Sequence, residues 1–137
     1  LVTSHVLDLA SLASVRSFAL TMESLGLNLN LLVHSAGIFP SQHSNVTADG
    51  LRDVLQVNHV APFALTLQLL PCLLRCEGDA RVVTLASRCE SLATVDDVEA
   101  LYHHPERITD PIAAYAAASH AATLTAHALH RLLKGRG

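Results

Sequence analysis

The sequence predicts an α/β fold, a single domain over residues 1–137 built on a mostly parallel sheet. Three observations predict it. Short apolar runs alternate with longer stretches whose apolar residues recur at three- and four-residue steps. The order is strand, helix, strand, helix, strand, helix, the pattern of right-handed parallel crossover units. Two of the runs, Asn30 to His34 (NLLVH) and Arg81 to Ala86 (RVVTLA), are nearly unbroken, as strands covered on both faces are. Half of the 137 residues are hydrophobic, which is enough for one core, and the length does not suit a second full domain.

Ser4 to Leu9 (SHVLDL) is the first expected strand, closed by Asp8. Ala10-Ser11 then offers a cap to an amphipathic helix marked by Leu12, Val15, Phe18, Ala19, Met22 and Leu25, which Gly26 stops. The strand Asn30 to His34 ends in Ser35-Ala36-Gly37, and Pro40, Ser41, Ser44, Asn45 and Gly50 mark the loop beyond it. Thr47 is placed to cap a long helix from about Ala48 to Arg75, with Leu51, Val54, Leu55, Asn58, Leu65, Leu69 and Leu73 in helical phase. Pro62 falls inside it, so a kink is expected there. Gly78-Asp79 reads as a turn before the third strand, Arg81 to Ala86, which ends at Ser87. Ser91 to Asp110 is mostly polar, with Val95, Val98 and Leu101 as anchors of one short helix. The last helix runs from about Asp110 to Lys134, and Gly135-Arg136-Gly137 ends it.

Composition excludes several functions. Charged residues are 15% of the chain, the formal net charge is -3, and the eight arginines and one lysine are scattered. Nucleic acid is therefore not expected as a partner, because phosphate binding needs clustered basic residues. Cys72, Cys76 and Cys89 cannot all pair and fit a reducing, cytoplasmic compartment. Cys72 and Cys76, one turn apart in an apolar helix, read as buried small hydrophobes. No signal peptide is expected from the first residues. Val57 to Leu74 is interrupted by Asn58, His59, Pro62, Thr66, Gln68 and Pro71 and reads as a buried helix rather than a membrane span. The mean hydropathy of +0.36 is high, which points to elements covered on both sides or to a surface meant for a partner.

The residues able to do chemistry gather at strand ends, where open parallel sheets place their ligands. Asp8, the Ser35-Ala36-Gly37 turn and Ser87 occupy such ends, Asn58 adds an amide to an apolar helix, and Tyr115 heads the last helix. Tyr115 reads as the only phenolic acid or base, since Tyr102 lies in a polar stretch beside His103, His104 and Pro105. A phenol of pKa about 10 is a poor base at neutral pH and needs a cation one helical turn away. Each residue has a structural reading beside the chemical one. Asp8 can be a strand-end carboxylate satisfied by amides, Asn58 a hydrogen-bonded bridge, Ser87 a cap, and Tyr115 a packing anchor. His120, His127 and His130 fall on roughly one helical face without an acidic or thiolate partner, so no metal site is expected.

The segments LDLASLASVRSFA, LLVHSAGIF, DGLRDVLQVNHVAPF, ARVVTLAS and AAYAAASHA resemble the short-chain dehydrogenase/reductase family, nearest to its retinol dehydrogenase branch and the WW domain-containing oxidoreductase. The resemblance implies a partial Rossmann-type, three-layer domain and NAD(P)-dependent oxidoreduction of an alcohol or carbonyl, on a small or lipid-like substrate. It places an adenine-contacting carboxylate at Asp8 and a cofactor-side turn at Ala36 and Gly37. It places a water-holding amide at Asn58, a carbonyl-binding serine at Ser87 and the proton-transferring tyrosine at Tyr115. It also implies a homo-oligomer through helices 48–75 and 112–134. Two parts of the family pattern are absent. The lysine four residues after the tyrosine is replaced by Ser119, and His120, rotated by about 140° from Tyr115, would serve only through a bulge in the helix. The glycine-rich turn that cradles a pyrophosphate is missing among Gly26, Gly37, Gly50, Gly78, Gly135 and Gly137. The family strand order would leave a gap between the first two strands, so a piece of a longer protein, or a sheet closed in a new order, is expected. An impaired enzyme is the first functional expectation, and a non-catalytic interaction protein that associates through the same helices is the second.

Overall fold

Helix α1 (Leu12–Ser24) starts where the Ser11 hydroxyl accepts the Ser14 amide at 3.2 Å, satisfying one of the donors that a helix start leaves free. It stops at Gly26, whose φ of 63° lies in the left-handed region that glycine adopts without strain. The computed structural model describes residues 2–39 and 45–134; Pro40, Ser41 and Ser44 of the expected loop, and the Gly135-Arg136-Gly137 ending, lie outside the described residues. Strands β1 (Leu31–His34) and β2 (Arg81–Thr84) pair in parallel, Leu31 opposite Arg81 and His34 opposite Thr84. The connection between them is one helix in three parts: α2 (Asp53–Leu55), a π turn (Gln56–Val60) and α3 (Ala61–Leu74). This strand, helix, strand unit is the α/β arrangement that the periodicity predicts.

The distortion expected at Pro62 takes the form of the π turn just before it. Pro62 stands in the first turn of α3, and the Ala61 amide reaches back five residues to the Gln56 carbonyl. The wider turn accommodates a residue that has no amide to give. The helix begins at Asp53, later than expected, and Thr47 does not cap it. Residues 47–50 instead close a turn, Gly50 N to Thr47 O at 3.0 Å with Gly50 at φ 80°, and the Thr47 hydroxyl is 2.5 Å from Gln56 Oε1. The whole helix Asp53–Leu74 is long and apolar enough to cross a membrane by length and composition, and half of its most apolar window is buried inside this protein.

Two expectations about strands fail, for one reason. Ser4 to Leu9 forms no strand; Val2 and Val6 are 98% and 92% exposed. A strand needs a neighbour to take its amides and carbonyls, and among the described residues the sheet has only β1 and β2. Nor are these two buried on both faces. Leu32 packs on the core formed by α1 and α3, whereas Leu31, Val33 and Val83 are exposed at 53%, 47% and 42%. One helical layer covers the sheet, so the expected three layers are two among the described residues.

Beyond β2, Ser87 caps a 3-10 turn (Arg88–Leu92) and Thr94 opens helix α4 (Val95–His103). Asp97 Oδ2 accepts the Thr94 amide at 2.8 Å and the Asp97 amide returns to the Thr94 hydroxyl, a reciprocal capping box. Leu101 is buried as its spacing implies, whereas Val95 is exposed. Helix α5 (Pro111–Leu133) is capped by Asp110, which accepts the Ile112 amide at 3.0 Å, with Pro111 in the first turn. Its buried face is almost all alanine, from Ala114 to Ala122, which lets α4 and the π turn come close. Two buried clusters result. Val15, Ala19, Ala61, Leu65, Leu69 and Cys72 join α1 to α3, and Val54, Leu55, Leu101, Ile108, Ala114 and Ala117 join α2, α4 and the head of α5.

Candidate active site

The π turn carries Asn58 to the loop after β1. Its Oδ1 accepts the Ile38 amide at 2.8 Å and its Nδ2 donates to the Ile38 carbonyl at 2.9 Å, so the side chain grips one backbone unit from both sides. Gly37 is glycine because of that approach: a Cβ there would stand 3.2 Å from Asn58 Oδ1. Phe39, next in the same loop, lies against Tyr115, ring centroids 5.1 Å apart and tilted 53°. The structure thus brings Ala36, Gly37, Asn58 and Tyr115 into one region. Ser87 follows β2 and caps the turn Arg88–Leu92. Its hydroxyl accepts the Cys89 amide at 3.2 Å, which leaves its proton free to donate, and the turn it caps packs on α5.

Asp8 is engaged elsewhere. Its Oδ1 accepts the Ala10 amide at 2.9 Å, and its own amide donates to Ser14 Oγ at 3.0 Å. The start of α1, where an anion would gather, already holds a carboxylate: Asp49 Oδ2 accepts the Leu12 amide at 2.8 Å and the side-chain amide of the fully buried Gln56 at 2.7 Å. A pyrophosphate therefore finds no cradle there, and the left-handed glycines, Gly26, Gly50 and Gly78, stand in separate turns. The described residues do not fit the phosphate end of a dinucleotide.

Ser119, four residues after Tyr115, is buried in the helix interface at 7% exposure. His120 does not take the place of the missing lysine, because α5 is α-helical without a bulge from Pro111 to Leu133. The Asp97 carboxyl of α4 is held below the usual range chiefly by the hydrogen bonds from Thr94, with a smaller contribution from nearby His120. Among the described residues no three His, Cys, Asp or Glu side chains gather as a metal site. Cys72 is buried as expected; Cys76 is only half-buried, and its Sγ accepts from the side-chain Nδ2 of Asn30 at 2.7 Å.

The structure corrects the reading of Tyr102. Far from standing in a polar stretch, its hydroxyl lies 2.5 Å from His59 Nδ1, and His59 Nε2 lies 2.8 Å from Thr125 Oγ1. Burial lowers the His59 imidazole to about 4 and raises the Tyr102 phenol to about 12, so both are neutral over the ordinary pH range. Phe63 stacks parallel to the imidazole at 6.1 Å. The signal was present in the sequence, since Val98, Leu101 and Tyr102 share a helical face. A second pair, His34 Nε2 to Thr66 Oγ1 at 2.7 Å, links β1 to α3. A cavity of about 510 Å³ between β2, α3 and α5 has Asn58, His59, Thr66 and Thr125 among its walls. Neither Ser87 nor Tyr115 lines it.

No family model matches the chain. Mouse (Mus musculus) polyprenol dehydrogenase is 44% identical to it over 135 residues, covering 96% of this chain and 39% of that protein. Dehydrogenase/reductase SDR family member 13 of Homo sapiens is 44% identical over 90 residues, covering 66% of this chain and 23% of that protein. The chain thus spans well under half the length of either relative. Among solved structures, NADPH-bound carbonyl reductase from chicken fatty liver superposes with a TM-score of 0.68 over 96% of this chain and 50% of that one, at 20% identity. That likeness shows the fold alone.

Proposed function

We propose, for a chain that belongs to the short-chain dehydrogenase/reductase family, that it carries the substrate-side part of an alcohol or carbonyl oxidoreductase site. Tyr115 gives or takes the proton at the substrate oxygen, and Ser87 donates a hydrogen bond to the same oxygen as charge develops on it. The observation that carries this reading is the meeting of Phe39 and Tyr115, which joins the loop pinned by Asn58 to the head of α5, the helix on which the turn capped by Ser87 also packs. The substrate class is a lipid-like alcohol or its carbonyl, in keeping with the name of the mouse relative.

In the family the coenzyme supplies the hydride as NAD(P)H in carbonyl reduction and accepts it as NAD(P)+ in alcohol oxidation. Ala36 and Gly37 would face its nicotinamide end, but the described residues offer no place for its phosphates, so this chain alone binds the dinucleotide weakly or not at all. With Ser119 in place of a cation, the phenol also lacks the neighbour that would favour its ionised form. Equilibrium dialysis against NADH and NADPH, with turnover on a carbonyl panel, is expected to give neither micromolar binding nor activity; clear turnover overturns this. The proton-handling role has its own test. In a chimera of the mouse relative whose 135 matched residues are replaced by this chain, Ser119→Lys is expected to raise turnover by about 10²-fold or more. Tyr115→Phe on top of it is expected to abolish the gain. A chimera that stays inactive with the lysine, or keeps its gain without the phenol, overturns the assignment.

A further inference from the structure

The polar chain Tyr102, His59, Thr125 has no part in the proposed chemistry, yet it joins three of the elements around Tyr115. We propose that His59 is a positioning residue for Tyr115, held as the neutral Nε2–H tautomer between Tyr102 of α4 and Thr125 of α5. This rests on Tyr115 being the proton-handling phenol. A phenol is a better hydrogen-bond donor than an alcohol, so Tyr102 gives its proton to Nδ1 across 2.5 Å. The single proton of the neutral ring then sits on Nε2 and goes to Thr125 Oγ1 across 2.8 Å. The hydroxyl proton of Thr125 is then left to point into the cavity that Thr125 lines. Only 8% of His59 is exposed, and an unmet ring nitrogen would be costly there.

The consequence for Tyr115 follows from packing. Tyr102 and Tyr115 lie against the same buried cluster, which includes Leu101, Ala114 and Ala118. Pinning Tyr102 therefore fixes the wall on which Tyr115 rests. The opposite wall, Phe39, belongs to the loop that Asn58 grips through Ile38. Asn58 and His59, adjacent in one π turn, reach different partners, Ile38 on one side and Tyr102 on the other, and so hold the two sides of Tyr115 independently. A π turn at this point is the kind of helix irregularity that recurs at functional sites.

The chain has two tyrosines, so ¹³C-tyrosine labelling gives one set of ring signals for each, and ¹⁵N-histidine labelling reads the tautomer. One imidazole is expected to carry its proton on Nε2 and not to titrate over about pH 5 to 8. Tyr102→Phe, which deletes one oxygen and keeps the ring, is expected to move the Tyr115 ring signal and to speed amide exchange over residues 95–104 about tenfold, leaving α1 unchanged. His59→Leu should do the same or more, and His59→Gln, which keeps a donor and an acceptor, should restore part of the Tyr115 signal. An Nδ1–H ring overturns the proposal. So does a Tyr115 signal that stays put in Tyr102→Phe while stability falls, the outcome of a bond that holds the fold and nothing else. None of these readouts uses coenzyme or substrate, so their failure leaves the chimera test of Tyr115 untouched, and an inactive chimera leaves the tautomer and ring signals to be read on their own.

Discussion

Around the head of α5, polar groups are buried and paired; along the sheet, apolar groups stand in water. His59 has partners on both ring nitrogens and Asn58 on both amide atoms, while the outward residues of β1, Leu31 and Val33, are half exposed. The first region is closed by contacts among the described residues, because the alanine face of α5 lets α4 and the helix ahead of the π turn pack closely on it. Among the described residues the second is a two-stranded parallel ladder with helices on one face, and parallel sheets in general are covered on both. The proton transfer proposed for Tyr115 therefore draws only on the head of α5. A coenzyme site in such folds spans the strand ends on both sides of the switch in strand order.

The contrast breaks most visibly if the two regions respond alike to losing apolar volume. Leu101→Ala removes a side chain that is 1% exposed from the cluster under Tyr115 and is expected to destabilise by about 3 kcal/mol, from lost transfer free energy plus a cavity. Val33→Thr, on the bare face, is expected to change stability by less than about 0.5 kcal/mol. Urea unfolding of both variants gives the comparison directly. Comparable losses would mean that the outer face of the sheet is covered in solution.

Acid should separate the regions next. The His59 imidazole titrates at about 4 when folded and at 6.5 when free, so below 6.5 the unfolded chain binds the proton that the folded chain refuses. Stability is then fully present above about pH 6.5, falls as the pH drops toward 4, and levels off below that, by roughly 3 kcal/mol at most. His34, lowered in the same direction by burial, adds to the slope. In His59→Gln the protein starts less stable but should lose most of this dependence. An unchanged slope in that variant would place the acid sensitivity in other groups. Smaller again is the capping box of α4: Thr94→Ala is expected to cost about 1 kcal/mol, with faster amide exchange in 95–98 and no change in α1.

What was legible in the sequence was local. Ser11, Gly26 and Asp110 mark helix ends by their own backbone chemistry, and the structure uses all three at the ends expected. The strand at Ser4 to Leu9 was misread because a strand is a property of a pair and its neighbour is not among the described residues. The two covered faces failed likewise, since an apolar run records a wish for burial and not what does the burying. Thr47 looks like a cap, but the Asp49-Gly50 turn defers the helix to Asp53. At the candidate site, Asn58 stood out as an amide in an apolar helix, whereas Tyr102 was passed over. Its partner is His59, distant in sequence, and the polar neighbours of Tyr102 hid a helical phase that turns it inward.

The finest test of the contrast concerns the two residues that touch at the loop after β1. Gly37→Ala puts a methyl group 3.2 Å from Asn58 Oδ1, tighter than ordinary contact, so the amide must shift off Ile38 by a few tenths of an ångström. The expected loss is below about 1 kcal/mol, because a flexible side chain is what has to give. Asn58→Ala removes the obstruction together with both bonds to Ile38 and is expected to cost about 1 to 2 kcal/mol. In the double variant the added methyl group has nothing to meet, so the two losses should not add; a coupling of about 0.5 kcal/mol or more is the signature of direct contact. Additive losses would mean that the loop stands away from the π turn, and then Phe39 could not be a fixed wall for Tyr115. The same cycle read on the Tyr115 ring signal reports whether the strain reaches the phenol. It should do so in Gly37→Ala and vanish from the further change when Asn58 is already gone.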